Sequence, residues 1–294
     1  MGREGGIIIP MRILSKKGDA DMSGIVLHEY EIKIKGVKKK VVYHFSDVHI
    51  TESDSLCSEA EIEKLKEDTE RWLEIRARFA KKYGEPCDER QQITGTEHFE
   101  NMLSMANADG DIVCIAGDLF NSVKSSALRT YEQVFSNTLI PYLYVAGNHE
   151  QMKDIPDDCA MAEIKKPIIY VDLGDLIFVG VNNSQRIITR EQIDKIKEIL
   201  ALGKPVIIVM HIPILTEGNE QLEACSEYFK MNVGDVPAEN HEFVEFIKQN
   251  DEQIAAIFAG HLHFKNNFAI TPRLTQYVSS QGILGNVNRY VIGE

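Results

Sequence analysis

A short apolar run, Val41 to Phe45, stops abruptly before Asp47 and His49. The run is rich in β-branched and aromatic residues and follows three lysines, which predicts a short buried strand. In open α/β sheets the ligand crevice lies outside the carboxyl ends of the strands. Because side chains i and i+2 of an extended backbone point the same way, we expect Asp47 and His49 to reach one ion. A carboxylate oxygen and an imidazole nitrogen together suit Mn, Fe, Zn or Ni.

Four further apolar segments also stop directly before polar side chains that are good metal ligands. The segments cover 112–116, 142–146, 205–210 and 254–259, and the residues after them are Asp118, Asn148, His149, His211, His261 and His263. Amphipathic helical patterns separate several of these segments, which is the βαβ alternation of an α/β fold. Taken singly, each polar residue could belong to an ordinary turn. Their recurrence at five strand ends predicts one shared metal site instead.

The overall charge limits the partners of the chain. Its 294 residues carry a formal net charge of -13 at pH 7, and the pI is about 5.2. This balance argues against a broad nucleic-acid-binding or anionic-membrane surface, although a bound dication would still attract a small anionic substrate. The first apolar run, Ile7–Ile9, is cut by Pro10 and is too short for a signal peptide or a membrane span. We therefore expect a cytoplasmic protein.

Residues 52–92 differ from the rest of the chain and predict a helical insertion. Ser58 and Glu61 have the spacing of a capping box, and the apolar residues after them recur at near-helical intervals. Gly84 and Pro86 predict the end of this helix. A charged helix with one apolar stripe is typical of a solvated helix packed on a domain edge. We favour this interpretation over a substrate lid or a dimer contact.

Other segments carry less specific patterns. Residues 215–237 are irregular and polar, which predicts a loop over the site. Residues 268–292 alternate apolar and polar side chains between turn residues, which is typical of antiparallel strands. Residues 1–24 show no periodicity from which a role can be predicted. The five cysteines are widely spaced without a C-x-x-C pair, as expected of reduced structural thiols.

The polar residues at the strand ends lie in five motifs, Asp47-x-His49, Gly117-Asp118, Gly147-Asn148-His149-Glu150, Val209-x-His211-x-Pro213 and Gly260-His261-x-His263. In order and in placement after strands, these motifs resemble the sequence blocks of the calcineurin-like metallophosphoesterases. The resemblance implies an α/β (α+β) fold, a four-layer αββα sandwich with two mixed β-sheets face to face and flanking helices. We expect a single domain over residues 1–294, with the helical insertion at about 52–92.

The resemblance also implies a dinuclear metal centre. Asp47, His49 and His263 would bind one ion, Asn148, His211 and His261 would bind the second, and Asp118 would bridge them. This division agrees with the chemistry, because a carboxylate has two oxygens and can span two ions about 3.5–4 Å apart. The ions would be two divalent or trivalent transition-metal ions, and Mn, Fe, Zn and Ni all suit such nitrogen and oxygen ligands.

For the reaction, the resemblance implies hydrolysis by a metal-bridging hydroxide, with Asp118 and His149 as the catalytic residues. His149 would contact the phosphoryl group and stabilise or protonate the leaving oxygen. Glu150 could orient His149 or a metal ligand, or it could be an ordinary turn carboxylate. His44, three residues before Asp47, is expected to be a packed structural histidine.

Two sequence features bear on the substrate. Protein Ser/Thr phosphatases of this superfamily carry arginines after the Gly-Asp and Asn-His-Glu motifs, whereas here Leu119–Ser122 and Gln151–Lys153 follow. The segment 180–184, together with Thr189-x-x-Gln192 and the His211 motif, resembles small single-domain members similar to bacterial cyclic-nucleotide phosphodiesterases. Many of those have Asp where this chain has Asn182 or Asn183, and the 52–92 insertion is unlike their compact form.

We therefore expect a phosphodiesterase that acts on a small phosphorylated substrate, with nucleotides among the candidates. A phosphomonoesterase or a nucleotide-pyrophosphate hydrolase on the same metals is the first alternative, and a non-catalytic scaffold of the same fold is the second. The complete ligand set argues against the scaffold. We expect neither a membrane nor a nucleic acid as a partner, and no pattern in the sequence indicates an oligomeric state.

Overall fold

The computed structural model describes residues 24–84 and 93–294, together with the backbone of residues 12 and 13. Predictions that concern other residues, Pro86 among them, lie outside this part of the chain. The strands are β1 (Arg12–Ile13), β2 (Val26–Ile32), β3 (Lys40–Phe45), β4 (Ile112–Ala116), β5 (Tyr142–Val145), β6 (Ile168–Asp172), β7 (Ile177–Val181), β8 (Val206–Met210), β9 (Ile254–Ala259), β10 (Asn266–Ala269), β11 (Thr275–Val278) and β12 (Asn286–Ile292). The α-helices are α1 (Glu59–Tyr83), α2 (Gly95–Asp109), α3 (Ser125–Phe135), α4 (Arg190–Leu200), α5 (Glu220–Glu223) and α6 (Ala238–Gln249). None of these helices is both long enough and apolar enough to cross a lipid bilayer.

The strands form two mixed sheets of six strands each. The first sheet has the order β1-β2-β12-β3-β4-β5, and the second has the order β10-β11-β9-β8-β7-β6. Strands β3, β4 and β5 run parallel to one another, and so do β7, β8 and β9. Parallel neighbours end at the same edge of a sheet, so the loops after them are brought together there.

The two sheets pack face to face, and helices cover their outer faces. Strand β4 illustrates this arrangement, because successive side chains of a strand point to opposite faces. Its residues Ile112, Cys114 and Ala116 lie in the core between the sheets, while Val113 and Ile115 lie in a core shared with α2 and α3. A third core joins the second sheet to α4 and α6. The predicted four-layer αββα sandwich is therefore confirmed.

The long helix predicted in the insertion is α1. It begins after Ser58, which forms the predicted capping box with Glu61, and it ends at Gly84 in the left-handed conformation (φ +69°). Its buried residues include Leu65, Trp72 and Ala80. These residues do not join either outer helical layer: Trp72 and Ala80 cluster with residues 283 and 284, just before β12.

The prediction of antiparallel strands in residues 268–292 is only partly right. Strand β10 pairs antiparallel with β11, and β12 pairs antiparallel with β3. However, β11 runs parallel to β9, and β12 runs parallel to β2. An alternating pattern reports that a strand has a buried face, and it carries no information about the direction of its neighbour.

Candidate metal centre

The structure brings all of the predicted metal ligands together on the loops that follow β3, β4, β5, β8 and β9. The first set consists of Asp47, His49 and His263, whose side-chain donor atoms lie within 4.8 Å of one another. His263 Nε2 is 3.1 Å from His49 Nε2 and 3.3 Å from Asp47 Oδ1. All three residues are buried. This set is the one that the resemblance assigns to the first ion.

The second set consists of Asp118, His211 and His261, with Asn148 beside them. His211 Nε2 lies 3.1 Å from His261 Nδ1, 3.1 Å from Asn148 Oδ1 and 3.3 Å from Asp118 Oδ2. Asp118 Oδ2 is also 3.9 Å from His49 Nε2, an atom of the first set. The Asp118 carboxylate therefore lies between the two sets, at the position that the resemblance assigns to the bridging ligand.

The spacing of these atoms fits two transition-metal ions. Ligand atoms bound at about 2.1 Å to one ion lie about 3.0–3.4 Å apart in octahedral or tetrahedral geometry, and the shortest separations in both sets match this range. Asp47 Oδ1 is buried and accepts no hydrogen bond, which is unfavourable for a carboxylate oxygen unless a cation binds it. The ligand set of imidazole, carboxylate and amide is also the one that such ions prefer.

Hydrogen bonds outside the two sets fix the tautomers of two histidines. His211 Nδ1 lies 2.7 Å from Ala116 O, and His261 Nε2 lies 3.3 Å from Tyr228 O. A carbonyl oxygen can only accept, so each of these ring nitrogens carries the proton. In the neutral form of each ring, the other nitrogen then directs its lone pair into the site, as in metal-binding histidines generally.

The electrostatics of the site favour the protonation states that metal ligands need at Asp47, Asp118, His49 and His261, whereas His211 would have to release a proton to bind an ion. Burial alone would raise the pKa of Asp47 and Asp118, but the neighbouring histidines outweigh burial and lower both values, so both groups are carboxylates at neutral pH. Burial lowers the pKa of His49 well below its usual value and that of His261 to about 3. For His211 burial is outweighed by the Asp118 carboxylate, which raises the pKa to about 9.

The backbone at the site is strained, which corrects one step of the sequence argument. In the described part of the chain, six residues other than glycine have positive φ, and five of them are predicted ligands: Asp47, His49, Asp118, His261 and His263. Asp47 and His49 therefore do not converge through the alternation of an extended strand, as predicted. They lie in left-handed conformation (φ +56° and +48°) beyond the end of β3. Such backbone persists only where surrounding structure enforces it, and it clusters at functional sites.

Two glycines let the ligand loops approach one another closely. A Cβ added at Gly117, which has φ +86°, would collide with His211 Nδ1 and lie 2.8 Å from the backbone of Gly147. A Cβ added at Gly147 would lie 2.7 Å from Asp118 Cγ, and closer still to its Oδ1 and backbone nitrogen. The glycines that precede the ligands in the motifs are therefore required by close packing.

Glu150 ties these loops together. Its carboxylate is fully buried and accepts four hydrogen bonds, from the backbone nitrogens of Asp118 (3.0 Å), Phe120 (2.8 Å) and Gly147 (2.8 Å) and from the Tyr144 hydroxyl (2.8 Å). Burial and the Asp118 charge raise its pKa. Of the two interpretations left open by the sequence, the structure supports the orienting role. Glu150 holds the loop that carries Asp118 and is therefore not an ordinary turn carboxylate.

His149 lies at the edge of both sets. Its backbone N–H donates to Asp118 Oδ1 (2.9 Å), and its ring Nδ1 donates to the carbonyl oxygen of Asn121 (3.0 Å). Because that carbonyl accepts, Nδ1 holds a proton and Nε2 is left for another partner. The ring also lies edge-on to His49, with centroids 4.7 Å apart, and it could form a third donor group with His49 and Asp118. His149 is partly exposed, so it can reach a substrate.

The insertion contributes a residue to the site that the sequence argument missed. Trp72 of α1 stacks on the ring of His49, with centroids 3.7 Å apart and planes at 20°, and also lies over His263 at 5.3 Å. The predicted solvated helix with one buried stripe is present, but the interpretation is incomplete, because α1 also packs on predicted metal ligands. The available signal was that Trp72, the single tryptophan of the chain, lies in the apolar stripe.

His44 has the structural role predicted for it. Its ring is fully buried, stacks on Phe258 (5.0 Å between centroids) and lies 3.2 Å from the Tyr290 hydroxyl. Burial lowers its pKa to about 3.

The predicted loop over the site at residues 215–237 contains α5 and a short 3-10 turn. Its residues Tyr228 and Phe229 pack against His261, with ring centroids 5.1 Å apart in each case.

A cavity of about 570 Å³ opens beside Asn148. It is lined by amide, apolar and basic side chains, namely Asn148, Gln151, Met152, Lys153, Ser184, Gln185, Arg186 and Tyr228. The Arg186 guanidinium is already engaged, because its Nε donates to Lys230 O (3.0 Å) and its NH2 group donates to Val233 O. The cavity is of the size that binds small molecules.

A four-layer αββα fold that gathers histidines, carboxylates and an amide into two adjoining sets at its strand ends defines a metal-dependent phosphoesterase. The chain belongs to the calcineurin-like phosphoesterase family, whose model matches residues 40–265, well over half of the sequence. Family membership implies two metal ions and the hydrolysis of phosphoric esters. No curated protein matches the sequence significantly.

Comparison with solved structures agrees with this assignment at the level of the fold. A dimetal phosphatase from Danio rerio superposes with a TM-score of 0.54 and 9% identity, covering 83% of this chain and 88% of that protein. A phosphopantetheinyl hydrolase from Mycobacterium tuberculosis gives a TM-score of 0.41 at 11% identity, covering 83% and 90%. A 5'-nucleotidase from Candida albicans gives 0.41 at 13% identity, covering 83% and 45%. Only the first has a TM-score above 0.5, and at 9% identity it supports the fold alone.

Proposed function

We propose that the protein hydrolyses a small phosphodiester at a dinuclear metal site. The observation that carries this proposal is the pair of ligand sets that meet at Asp118, with His149 at their common edge. Asp47, His49 and His263 would hold one ion, and Asn148, His211 and His261 would hold the other. When bound, two such ions supply an activated water and neutralise charge on the phosphoryl group. Side chains of the protein would carry out the remaining steps of the reaction.

His149 is proposed to serve the leaving group. With Nδ1 bound to the Asn121 carbonyl, the imidazolium form presents its second proton at Nε2. As the phosphorus–oxygen bond breaks, the leaving oxygen takes that proton, and the imidazole remains neutral with Nδ1–H still bonded. Proton transfer by a positioned side chain contributes about 10²–10⁴-fold to the rate. Asp118 Oδ1 accepts the backbone N–H of His149 and so holds it close to the metal ligands.

The cavity beside Asn148 supports a diester rather than a monoester substrate. A monoester dianion favours a cationic clamp, such as a bidentate arginine. The arginine that lines this cavity, Arg186, is bonded to backbone carbonyls instead. The remaining lining combines Gln151, Gln185, Met152 and Tyr228 with one lysine. Such a surface suits the second, largely uncharged ester group of a diester.

The test is to compare bis(p-nitrophenyl) phosphate with p-nitrophenyl phosphate, using metal-free protein and protein reconstituted with Mn²⁺. We expect Mn²⁺-dependent turnover with a higher kcat/KM on the diester. A higher kcat/KM on the monoester would overturn the diester assignment and leave a phosphomonoesterase. No turnover on either substrate, with two ions bound per chain, would contradict the enzymatic proposal and favour the scaffold. An Asp118→Asn variant serves as the inactive control.

The net charge of -13 supports a small phosphorylated molecule, with nucleotides as candidates, over a nucleic acid. The choice among Mn, Fe, Zn and Ni follows metal supply as well as ligand type, and metal analysis of protein purified without chelators would decide it. The cytoplasmic location and the single domain over residues 1–294 stay predictions.

A further inference from the structure

Asn121 connects helix α1 to the loop that carries His149. Its side-chain Oδ1 accepts a hydrogen bond from Trp72 Nε1 (2.6 Å), and its Nδ2 donates to Asp68 Oδ2 (3.1 Å). Both partners belong to α1, one turn apart. Both polar atoms of the Asn121 side chain are therefore hydrogen-bonded to the insertion helix, and neither bonds a group that is proposed to act in catalysis.

The backbone of the same residue faces the site. Its carbonyl oxygen accepts the bond from His149 Nδ1 (3.0 Å), and its N–H donates to Ile50 O (3.1 Å), in the loop after His49. A change in the position of Asn121 must therefore move the acceptor that fixes the His149 ring. The chain of contacts runs from α1 through Asn121 to His149 without a gap.

Trp72 also limits the space that His149 can occupy. Its indole lies edge-on to the His149 ring, with centroids 5.7 Å apart and planes at 65°, while it stacks on His49. Trp72 is 7% exposed, so it is packed between the helix and the site. Thr69, on the same helix, bonds Thr51 through their hydroxyls (2.7 Å) and fixes α1 to the loop after His49 at another point.

We infer that Trp72 and Asn121 are positioning residues for His149, and that the insertion helix α1 is part of the catalytic apparatus. The inference rests on the proposed function of His149 as the residue that serves the leaving group. Trp72 places the Asn121 amide, and Asn121 places the carbonyl that keeps a proton on Nδ1. The Nε2 atom of the ring is thereby kept for the leaving oxygen. Loss of the Trp72 bond lets the carbonyl shift, and the ring then samples other tautomers and orientations.

The decisive variant is Trp72→Phe, which keeps an aromatic ring over His49 but removes the Nε1–H donor. A single hydrogen bond of this kind corresponds to about a 3- to 10-fold change. We expect kcat on aryl phosphodiesters to fall by that factor, with metal content and KM unchanged. Leu73→Ala, at the next and largely exposed position of α1, is the matched control and should leave kcat unchanged.

Two kinetic readouts separate positioning from a general loss of structure. The loss in Trp72→Phe should grow as the leaving phenol becomes less acidic, because such esters depend most on a proton at the leaving oxygen. In a His149→Ala background, Trp72→Phe should cause no further loss, because the residue it positions is gone. Asn121→Ala, which removes both bonds to α1 and keeps the backbone carbonyl, should reproduce both effects.

A third readout uses metal-free protein and needs no activity. In spectra of protein with ¹⁵N-labelled histidine, His149 should be an Nδ1–H tautomer in the parent chain and a mixture in Trp72→Phe; His149→Ala identifies its signals. An unchanged tautomer, or losses that multiply in the Trp72→Phe/His149→Ala double variant, would overturn the inference. If the parent chain hydrolyses neither aryl ester, the proposed function fails, and the tautomer alone decides whether α1 positions His149.

Discussion

Replacing Gly147 by alanine should damage the site although the residue binds no metal. The added Cβ would lie 2.7 Å from Asp118 Cγ, whereas carbon atoms in contact are about 3.5–4.0 Å apart. The Asp118 loop must therefore move by about 1 Å. Asp118 cannot move alone, because its backbone N–H and that of Gly147 share Glu150 Oε2 as their acceptor. A displacement of about 1 Å at a catalytic group costs about 10²-fold in rate.

We expect Gly147→Ala to lose about 10²-fold in kcat on bis(p-nitrophenyl) phosphate and to bind fewer than two Mn²⁺ ions per chain. Overpacking should also lower the free energy of unfolding of the metal-free protein by about 1–3 kcal/mol. Steady-state kinetics, metal analysis of the desalted protein and urea unfolding measure the three effects.

Gly174→Ala is the control for this prediction. Gly174 lies in the exposed turn between β6 and β7 with φ +92°, and a Cβ there would meet no atom within 4 Å. The substitution costs about 1–2 kcal/mol of backbone strain but touches nothing at the site. We expect the Gly174→Ala protein to lose about as much free energy of unfolding as Gly147→Ala, but to keep full metal content and activity. If Gly147→Ala keeps kcat within three-fold of the parent chain, the close packing of the two loops is not what positions Asp118.

Three other predictions follow from the structure. His149→Ala should lower kcat by about 10²-fold at full metal content, and equal activity at equal metal content would remove His149 from the mechanism. Mn²⁺ at 100 times the Kd of each site should raise the free energy of unfolding of metal-free protein by about 3 kcal/mol per bound ion, or by about 5 kcal/mol for two ions, as urea unfolding measures. His98 is buried near Arg76 and Glu97, and burial lowers its pKa to about 4. Because the unfolded residue titrates near 6.5 and takes up its proton first as the pH falls, His98 should contribute about 2 kcal/mol to the loss of stability between pH 7 and pH 5, beside the contributions of the other buried histidines. In urea unfolding of the metal-free protein, His98→Gln should reduce the loss between pH 7 and pH 5 by about 2 kcal/mol relative to the parent chain.

The fold could be predicted because its strands are locally distinctive. Runs such as Ile112–Ala116 are apolar on both faces, which only a strand buried between two layers requires. The capping boxes at Ser58 and Thr189 likewise mark helix starts that the structure has. The direction of β12 could not be predicted, because a parallel partner and an antiparallel partner flank the same alternating pattern.

The grouping of the candidate ligands could be predicted from the sequence, whereas their backbone geometry could not. Polar residues after apolar strands predict a shared site, yet nothing in the sequence indicates that Asp47 and His49 adopt left-handed backbone. The contribution of Trp72 was hidden because its position in a helical stripe predicts only that it is buried. Which partner covers an apolar face is decided by packing between segments distant in sequence.

The strained ligands and the residues that hold them form one system. Each non-glycine residue in left-handed conformation costs on the order of 1–3 kcal/mol, and five predicted ligands share that state. The structure can sustain this strain because the loops are fixed elsewhere: Ser46 donates to Asp47 Oδ2, His261 N–H donates to the same oxygen (2.9 Å), and Glu150 binds the loops of Asp118 and Gly147. Because these hydrogen bonds hold the loops through protein groups alone, little reorganisation should oppose the binding of an ion. It follows that metal affinity should be as sensitive to residues such as Gly147 and Glu150, which bind no metal, as to some of the ligands themselves.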